Sequence, residues 1–315
     1  MATHNYQAKD FIQTQEGFVF AVVEQGLEEG KVLCFLRYIP KGDAWVKVST
    51  DEANAFLKQN AVQYLFYSKQ KSAHLHAVST HDIAVHHSPK KRLQKLLAKT
   101  KPDLIEQDCI TLSHLLLDQG ASMNSLGVTG SLLIGAQNTN SDIDLVIYGR
   151  ENFQRIRGCI KSLITDQKLG ALQENDWIDS YQRRSCDLSL QDYVWHEQRK
   201  YNKALINNRK FDLNLIEEVP ESSSVVYTKQ GEVIIQAQVV DAQYAFDYPA
   251  RFLLKHVQIS EVLCYTATYT GQAENNEWIE VAGALEIGSD GCQRILVGST
   301  REAKGQFIKV ISAPA

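Results

Sequence analysis

The 315-residue chain lacks any apolar run approaching the roughly 18 residues that a membrane helix needs. Its first residues show no basic segment followed by an apolar one, so a secretory leader is not expected and a cytoplasmic protein is. Cysteine is scarce and scattered: Cys34, Cys109, Cys159, Cys186, Cys264 and Cys292 never fall at C-x-x-C spacing. That pattern excludes a zinc ribbon or a disulfide framework and predicts reduced thiols. Charge of one sign is also lacking. A formal net charge of −4 excludes a chain coated to bind polyanions over its whole surface. Locally the sign varies. Residues 183–210 carry seven basic side chains against three acidic ones, while residues 221–315 carry seven against eleven.

What is present centres on VTGSLLIGAQNTNSDIDLVIYG, Val128 to Gly149. Gly130 and Ser131 follow a short apolar strand, Leu126 to Thr129. After a polar segment with Gly135 comes a second strand, on which Asp142 and Asp144 alternate with Ile143, Leu145 and Ile147. Strand residues two apart share a face, so the two carboxylates stand together while the aliphatic residues enter a core. Neighbouring like charges raise each other's pKa, and a hard divalent cation with oxygen ligands relieves the repulsion. Gly130 and Ser131 offer backbone N–H groups and a hydroxyl to a phosphate. A third carboxylate, Asp212, lies on the predicted strand Lys210 to Ile216, opposite in face to Phe211, Leu213 and Leu215. Three such aspartates could hold two Mg²⁺ or Mn²⁺ ions roughly 3.5–4 Å apart, as in-line phosphoryl displacement requires. Asp142 and Asp144 would bridge both ions, and Asp212 would touch only the ion on the acceptor side.

This pattern of Gly-Ser, ten intervening residues, Asp-x-Asp and a later strand Asp resembles the nucleotidyltransferase superfamily of DNA polymerase beta and the poly(A) and CCA-adding enzymes. The resemblance implies catalytic and metal-binding roles for Asp142, Asp144 and Asp212, and nucleotide binding at Gly130 and Ser131. Three further strings, HDIAVHHSP, FDYPARF and the pair TYTGQAENNEWIEVAGALE and VGSTREAKGQFIKV, resemble a family of predicted archaeal and bacterial nucleotidyltransferases with no settled acceptor.

The remainder of the chain reads as an α+β protein in three parts. Residues 1–89 form an N-terminal α+β domain with a hairpin over residues 17–39, a helix near residues 50–59 and a polar connector. That connector holds His74, His76, His81, His86 and His87. A metal site and an acceptor or phosphate contact are the alternatives to solvated histidines there. Residues 90–220 form the catalytic domain, a mixed sheet with flanking helices. Asp103 is placed to cap one helix, and Gln167 to Asp179 reads as a linker. A basic helix is predicted over Asp192 to Asn207, with Arg199 and Lys203 four apart on one face. They either solubilise the helix or grip the β or γ phosphate. Residues 221–315 alternate in five or six strands, as a small β-barrel-like domain would. Trp278, Tyr265, Tyr269 and Phe307 are candidates for base stacking or for core packing, and Arg301 with Lys304 is the basic feature there.

The combined expectation is an enzyme that moves a nucleoside monophosphate from a nucleoside triphosphate to an acceptor hydroxyl and releases pyrophosphate. RNA is the first acceptor class, with protein or a small molecule as alternatives, and no membrane partner is expected. The rival is a non-catalytic nucleotide- or RNA-binding protein that retains the fold.

Overall fold

A computed structural model describes residues 6–42, 44–69, 73–184, 186–217, 225–298 and 303–312. The chain divides into two compact units. One comprises residues 1–159 and 206–219, the other residues 160–205 and 220–315.

The first unit opens with a seven-stranded sheet made from β1 (Phe11–Thr14), β2 (Val19–Val22), β3 (Lys31–Lys41), β4 (Ala44–Lys47), β5 (Leu65–Ser68), β6 (Ala73–Ser79) and β7 (Ile83–His87). Its order is β5-β6-β3-β2-β1-β7, with β4 hydrogen-bonded to the far end of β3. Helix α1 (Thr50–Asn60) starts at Ser49, whose hydroxyl accepts from Glu52 N while the Glu52 carboxylate returns to Ser49 N. This reciprocal cap satisfies two otherwise orphaned donors. Ala53 and Leu57 on one face of the helix join Ile12, Phe20, Val32, Leu36 and Val78 in a buried cluster. Each fully buried aliphatic or aromatic side chain of that size contributes about 1.5–3 kcal/mol.

The helices α2 (Pro89–Leu97) and α3 (Leu104–Asp118) come next. Asp103 caps α3 as its position suggested, accepting from Ile105 N and Glu106 N. Then β8 (Leu126–Thr129), the single-turn α4 (Ser131–Ile134), β9 (Ile143–Tyr148) and α5 (Arg150–Thr165) follow. After α6 (Glu174–Arg184), α7 (Leu190–Lys200) and β10 (Lys203–Ile206), the chain returns to the first unit as β11 (Arg209–Ile216). Within that unit β9 lies between β8, antiparallel to it, and β11, parallel to it. This is the mixed sheet expected for the catalytic domain. Gly127 is where α2 presses on the sheet, because a Cβ there would meet Pro89 and Val146 at 2.9 Å.

In the second unit, α6 and α7 accompany β12 (Tyr227–Asp241), β13 (Ala250–Lys255), β14 (Ile259–Cys264), β15 (Trp278–Gly288), β16 (Gln293–Val297) and β17 (Phe307–Ser312). β12 pairs with both β13 and β15, so five strands are joined in a ring β12-β13-β14-β16-β15. The β14–β16 pair is parallel and the other four are antiparallel. β17 adds to β15 outside the ring. The α+β class holds throughout. Residues 174–179, expected within a linker, begin α6 instead, and its Trp177 is buried. The predicted basic helix stops at Lys200, where Tyr201 turns left-handed. Lys203 therefore belongs to a strand and does not share a helix face with Arg199. The segment read as a polar connector supplies β6 and β7. All six cysteines are free thiols. Among the described residues, no helix is long and apolar enough to cross a membrane.

Candidate active site

Asp144 is the second residue of β9 and stands in a row of three across the sheet. Thr129 on β8 is its direct partner on one side, and Asp212 on β11 on the other. Cross-strand partners share a face. The adjacent row, Val128–Leu145–Leu213, is buried on the other face. The alternation of apolar and acidic residues thus presents two carboxylates side by side while their neighbours anchor the strands.

Asp142 lies one residue before β9 and is exposed, so the expectation that it is a strand residue is corrected. Its charge is nevertheless felt at Asp144. Burial and the Asp212 carboxylate push the Asp144 carboxyl up to about 6; Asp142 pushes the same way, and the ammonium groups of Lys9 and Lys47 oppose them. Carboxylates that repel one another in a partly desolvated place are a fitting set for a divalent cation. Asp142, Asp144 and Asp212 are the residues that would hold it. Among the described residues, no group of three or more His, Cys, Asp or Glu side chains forms a ready metal site.

Gly130 has φ 66° and ψ −147° and sits against this carboxylate, where an added Cβ would collide with the Asp144 oxygen. Only glycine meets both demands, the left-handed backbone and the lack of space. Ser131 begins α4 and is half-buried beside it. The polar segment before Asp142 is held by Arg209. Its Nη1 donates to the carbonyls of Thr139 (3.0 Å) and Ser141 (2.9 Å), and its Nε donates to Asp108 (2.8 Å). Ser141 Oγ accepts from Asn138 N at 3.0 Å, closing the same turn.

Comparison with known proteins agrees with this arrangement. Residues 117–218, which contain the Gly-Ser pair and all three aspartates, match the nucleotidyltransferase domain. The chain is also 33% identical over 333 aligned positions to an uncharacterized protein of Methanocaldococcus jannaschii, covering 96% of this chain and 98% of the relative. The chain belongs to the nucleotidyltransferase superfamily. No solved structure matches it.

The other candidate residues go elsewhere. In the second unit, Arg199 Nη2 donates to the buried Glu277 carboxylate at 2.6 Å, and its guanidinium stacks on Trp195. Lys203 and Lys200 share the buried Glu197, and Lys200 also donates to Thr268 O at 2.9 Å. Burial pushes the Glu197 carboxyl up, but the two ammonium groups prevail and hold it down at about 2. These basic residues are thus engaged by carboxylates, and that engagement lends no support to a phosphate-holding role.

The histidines do not converge either. His76 is buried, accepting from Leu36 N at Nδ1 (2.9 Å) and meeting Asn54 at Nε2 (2.9 Å); burial lowers its pKa to about 4. His86 meets Asp10 at 2.6 Å and His87 meets Gln13 at 3.1 Å. In the strand domain Tyr269 is buried, so it packs the core, whereas Trp278 is 45% exposed. Arg301 lies outside the described residues.

Sequence reasoning missed several residues of the site's surroundings. Arg92 donates to Leu132 O (2.8 Å) and to the buried Glu106 (3.2 Å), bracing α4. Arg209 was visible only as one member of a basic stretch. Lys9 and Lys47 carried no signal, because their relation to Asp144 exists only after the N-terminal sheet has docked.

Proposed function

We propose that this chain is a divalent-metal-dependent nucleotidyltransferase that transfers a nucleoside monophosphate from a nucleoside triphosphate to a hydroxyl of RNA. The observation that carries the reading is the direct partnership of Asp144 and Asp212 beside Gly130, within a domain of the nucleotidyltransferase superfamily. The acceptor hydroxyl gives up its proton to solvent, and its oxygen forms a bond to the α-phosphorus. The bond from that phosphorus to the α,β-bridging oxygen breaks, and pyrophosphate leaves with the electron pair. Bound Mg²⁺ or Mn²⁺ supplies charge neutralisation and a lowered hydroxyl pKa. Asp142 and Asp144 would hold the ions that accompany the triphosphate, and Asp212 would hold the one on the acceptor side. Gly130 admits the phosphate chain close to the backbone, and Ser131 offers it a hydroxyl. The protein's task is to position charges in advance, the main source of catalysis where side chains form no covalent bond.

RNA as acceptor is supported by the second unit. Five strands paired in a ring, one pair parallel, are the organisation of small five-stranded barrels that bind oligonucleotides. The exposed Trp278 on β15 offers a ring for stacking.

The test supplies each α-labelled triphosphate with Mg²⁺ or Mn²⁺ and total cellular RNA or protein. Label in RNA supports the full reading. Label in protein or in a small molecule keeps the transfer and replaces the acceptor. Triphosphate binding without pyrophosphate release in any fraction favours a non-catalytic binding protein.

A further inference from the structure

The N-terminal sheet is docked on the element that carries the Gly-Ser pair. Phe11, Val19 and Tyr38 form one buried cluster with Leu133 of α4; Ala21, Trp45, Ile134 and Ala136 pack around it. Sheet register then determines which side chains overlook the site. Tyr38 on β3 faces Lys47 on β4, and Pro40 faces Trp45. Lys47 therefore shares a sheet face with Tyr38 and Trp45, the face turned toward α4. A second lysine arrives from the start of the same domain. Lys9 has φ 72°, its N–H donates to Val22 O (3.0 Å), and its carbonyl accepts from Thr129 Oγ1 (2.7 Å). A left-handed lysine persists only where its surroundings impose it, and Thr129 is the strand partner of Asp144.

The electrostatics follow from this geometry. Lys9 and Lys47 both act on the Asp144 carboxyl, and the Asp144 charge in turn helps to raise the phenol of Tyr38, itself pushed up mainly by burial. Two exposed ammonium groups so placed stand where a polyanion would approach the aspartates.

We infer that Lys9 and Lys47, from the N-terminal domain, bind the β and γ phosphates of the triphosphate and hold the pyrophosphate as it leaves. The assignment to that end follows from Lys47, whose sheet face packs against the helix that Ser131 begins. Lys9 and Lys47 neutralise the leaving group and do not touch the attacking oxygen. The N-terminal domain thus completes the nucleotide pocket. The inference rests on the nucleotidyl-transfer reading and adds residues that its motif does not contain.

The test measures binding of a non-hydrolysable triphosphate, the matching monophosphate and pyrophosphate by calorimetry, in the presence of Mg²⁺, on the full chain. Lys9→Gly suits the left-handed backbone and removes the whole side chain, ammonium group included. Lys47→Ala removes the ammonium group and its stem beyond Cβ at an exposed strand position. The double variant is expected to bind triphosphate and pyrophosphate at least tenfold more weakly, with monophosphate affinity unchanged within twofold. Lys47→Arg in the Lys9 parent is expected to keep most of the affinity. Parental triphosphate affinity in the double variant overturns the inference and leaves nucleotidyl transfer standing. A uniform loss across all three probes, monophosphate included, also overturns it, since that pattern marks a misplaced domain. If the parent itself binds no triphosphate, the nucleotidyl-transfer reading falls first, and this inference with it.

Discussion

The hydroxyl of Thr129 donates a 2.7 Å hydrogen bond to the main-chain carbonyl of Lys9, joining positions 120 residues apart. Thr129 is also the cross-strand partner of Asp144, so one residue ties the first turn of the chain to the central carboxylate. Replacing it by valine keeps the β-branched shape and removes the donor. A side-chain hydrogen bond of this kind contributes about 0.5–1.5 kcal/mol net, more where the acceptor is left buried without a partner. Thr129→Val is expected to lower stability in urea by about that amount and to weaken triphosphate binding in parallel.

Asp144 makes stability depend on pH. Its folded pKa, about 6, is above its ordinary value of 3.8, so the folded state binds the proton more tightly than the unfolded one. The resulting stabilisation is fully present below about pH 4 and is lost as pH rises through about 6. Metal-free parent is therefore expected to lose melting temperature relative to Asp144→Asn between pH 4 and 7. Near pH 7.5, added Mg²⁺ is expected to raise the melting temperature of the parent and leave that of Asp144→Asn unchanged. Scanning fluorimetry across this range checks both statements, and identical profiles for the two proteins would count against them.

Asp212 distinguishes catalysis from binding. Asp212→Asn keeps the volume and an oxygen but removes one charge on the proposed acceptor side. It is expected to bind triphosphate with Mg²⁺ within a few-fold of the parent and to lose transfer by orders of magnitude, the signature of an interaction made mainly in the transition state. Calorimetry and pyrophosphate release on one preparation separate the two effects. Transfer at the parental rate would remove Asp212 from the mechanism.

Arg209 tests whether the turn before Asp142 matters. Its guanidinium holds two carbonyls of that turn and the Asp108 carboxylate. Arg209→Ala is expected to cost about 1.5–3 kcal/mol of stability, the range for hydrogen bonds to charged groups. Turnover is expected to fall about tenfold, with a higher Mg²⁺ requirement. An unchanged Mg²⁺ requirement would make Arg209 a purely structural clamp.

Glu197 settles how the basic residues after α7 are used. It is buried between Lys200 and Lys203. Glu197→Gln leaves two ammonium groups without their counter-charge, and breaking a buried ion pair in this way costs about 3–5 kcal/mol. A large fall in chemical stability with normal triphosphate affinity in the remaining folded protein is the expected result. Loss of affinity without loss of stability would restore the phosphate-holding role of Lys203.

The candidate site was legible because strand alternation and the Gly-Ser and Asp-x-Asp spacings are local patterns. Gly130, Ser131, Asp142, Asp144 and Asp212 carry their spacing and strand faces in the sequence, and the Asp144–Asp212 partnership follows from matching alternation on β9 and β11. The position of Asp142 was misjudged by one residue, an error within the ordinary uncertainty of an element's end. What was not legible depends on docking. β6 was hidden by its histidines, yet His76 points inward, because Leu36 N and Asn54 satisfy both ring nitrogens. α6 was hidden by its polarity, since burial of Trp177 is its main anchor. Lys9 and Lys47 look like any surface lysines until the N-terminal sheet packs on α4. Helix periodicity also carried the basic helix past its end at Lys200, beyond the left-handed Tyr201 and through Lys203 to Asn207.

The return of the chain into its first unit has a consequence for synthesis on the ribosome. Asp144 and Asp212 are 68 residues apart, and β9, Ile143 to Tyr148, receives its parallel neighbour only when β11 emerges. At about 5–20 residues per second, the interval is roughly 3–14 seconds. Throughout it one flank of an aliphatic strand has unpaired backbone groups, the condition that invites pairing with a neighbouring nascent chain. Asp144 places a negative charge on that strand during the wait. A charge so placed opposes aggregation in the way that gatekeeper residues do, before there is any site.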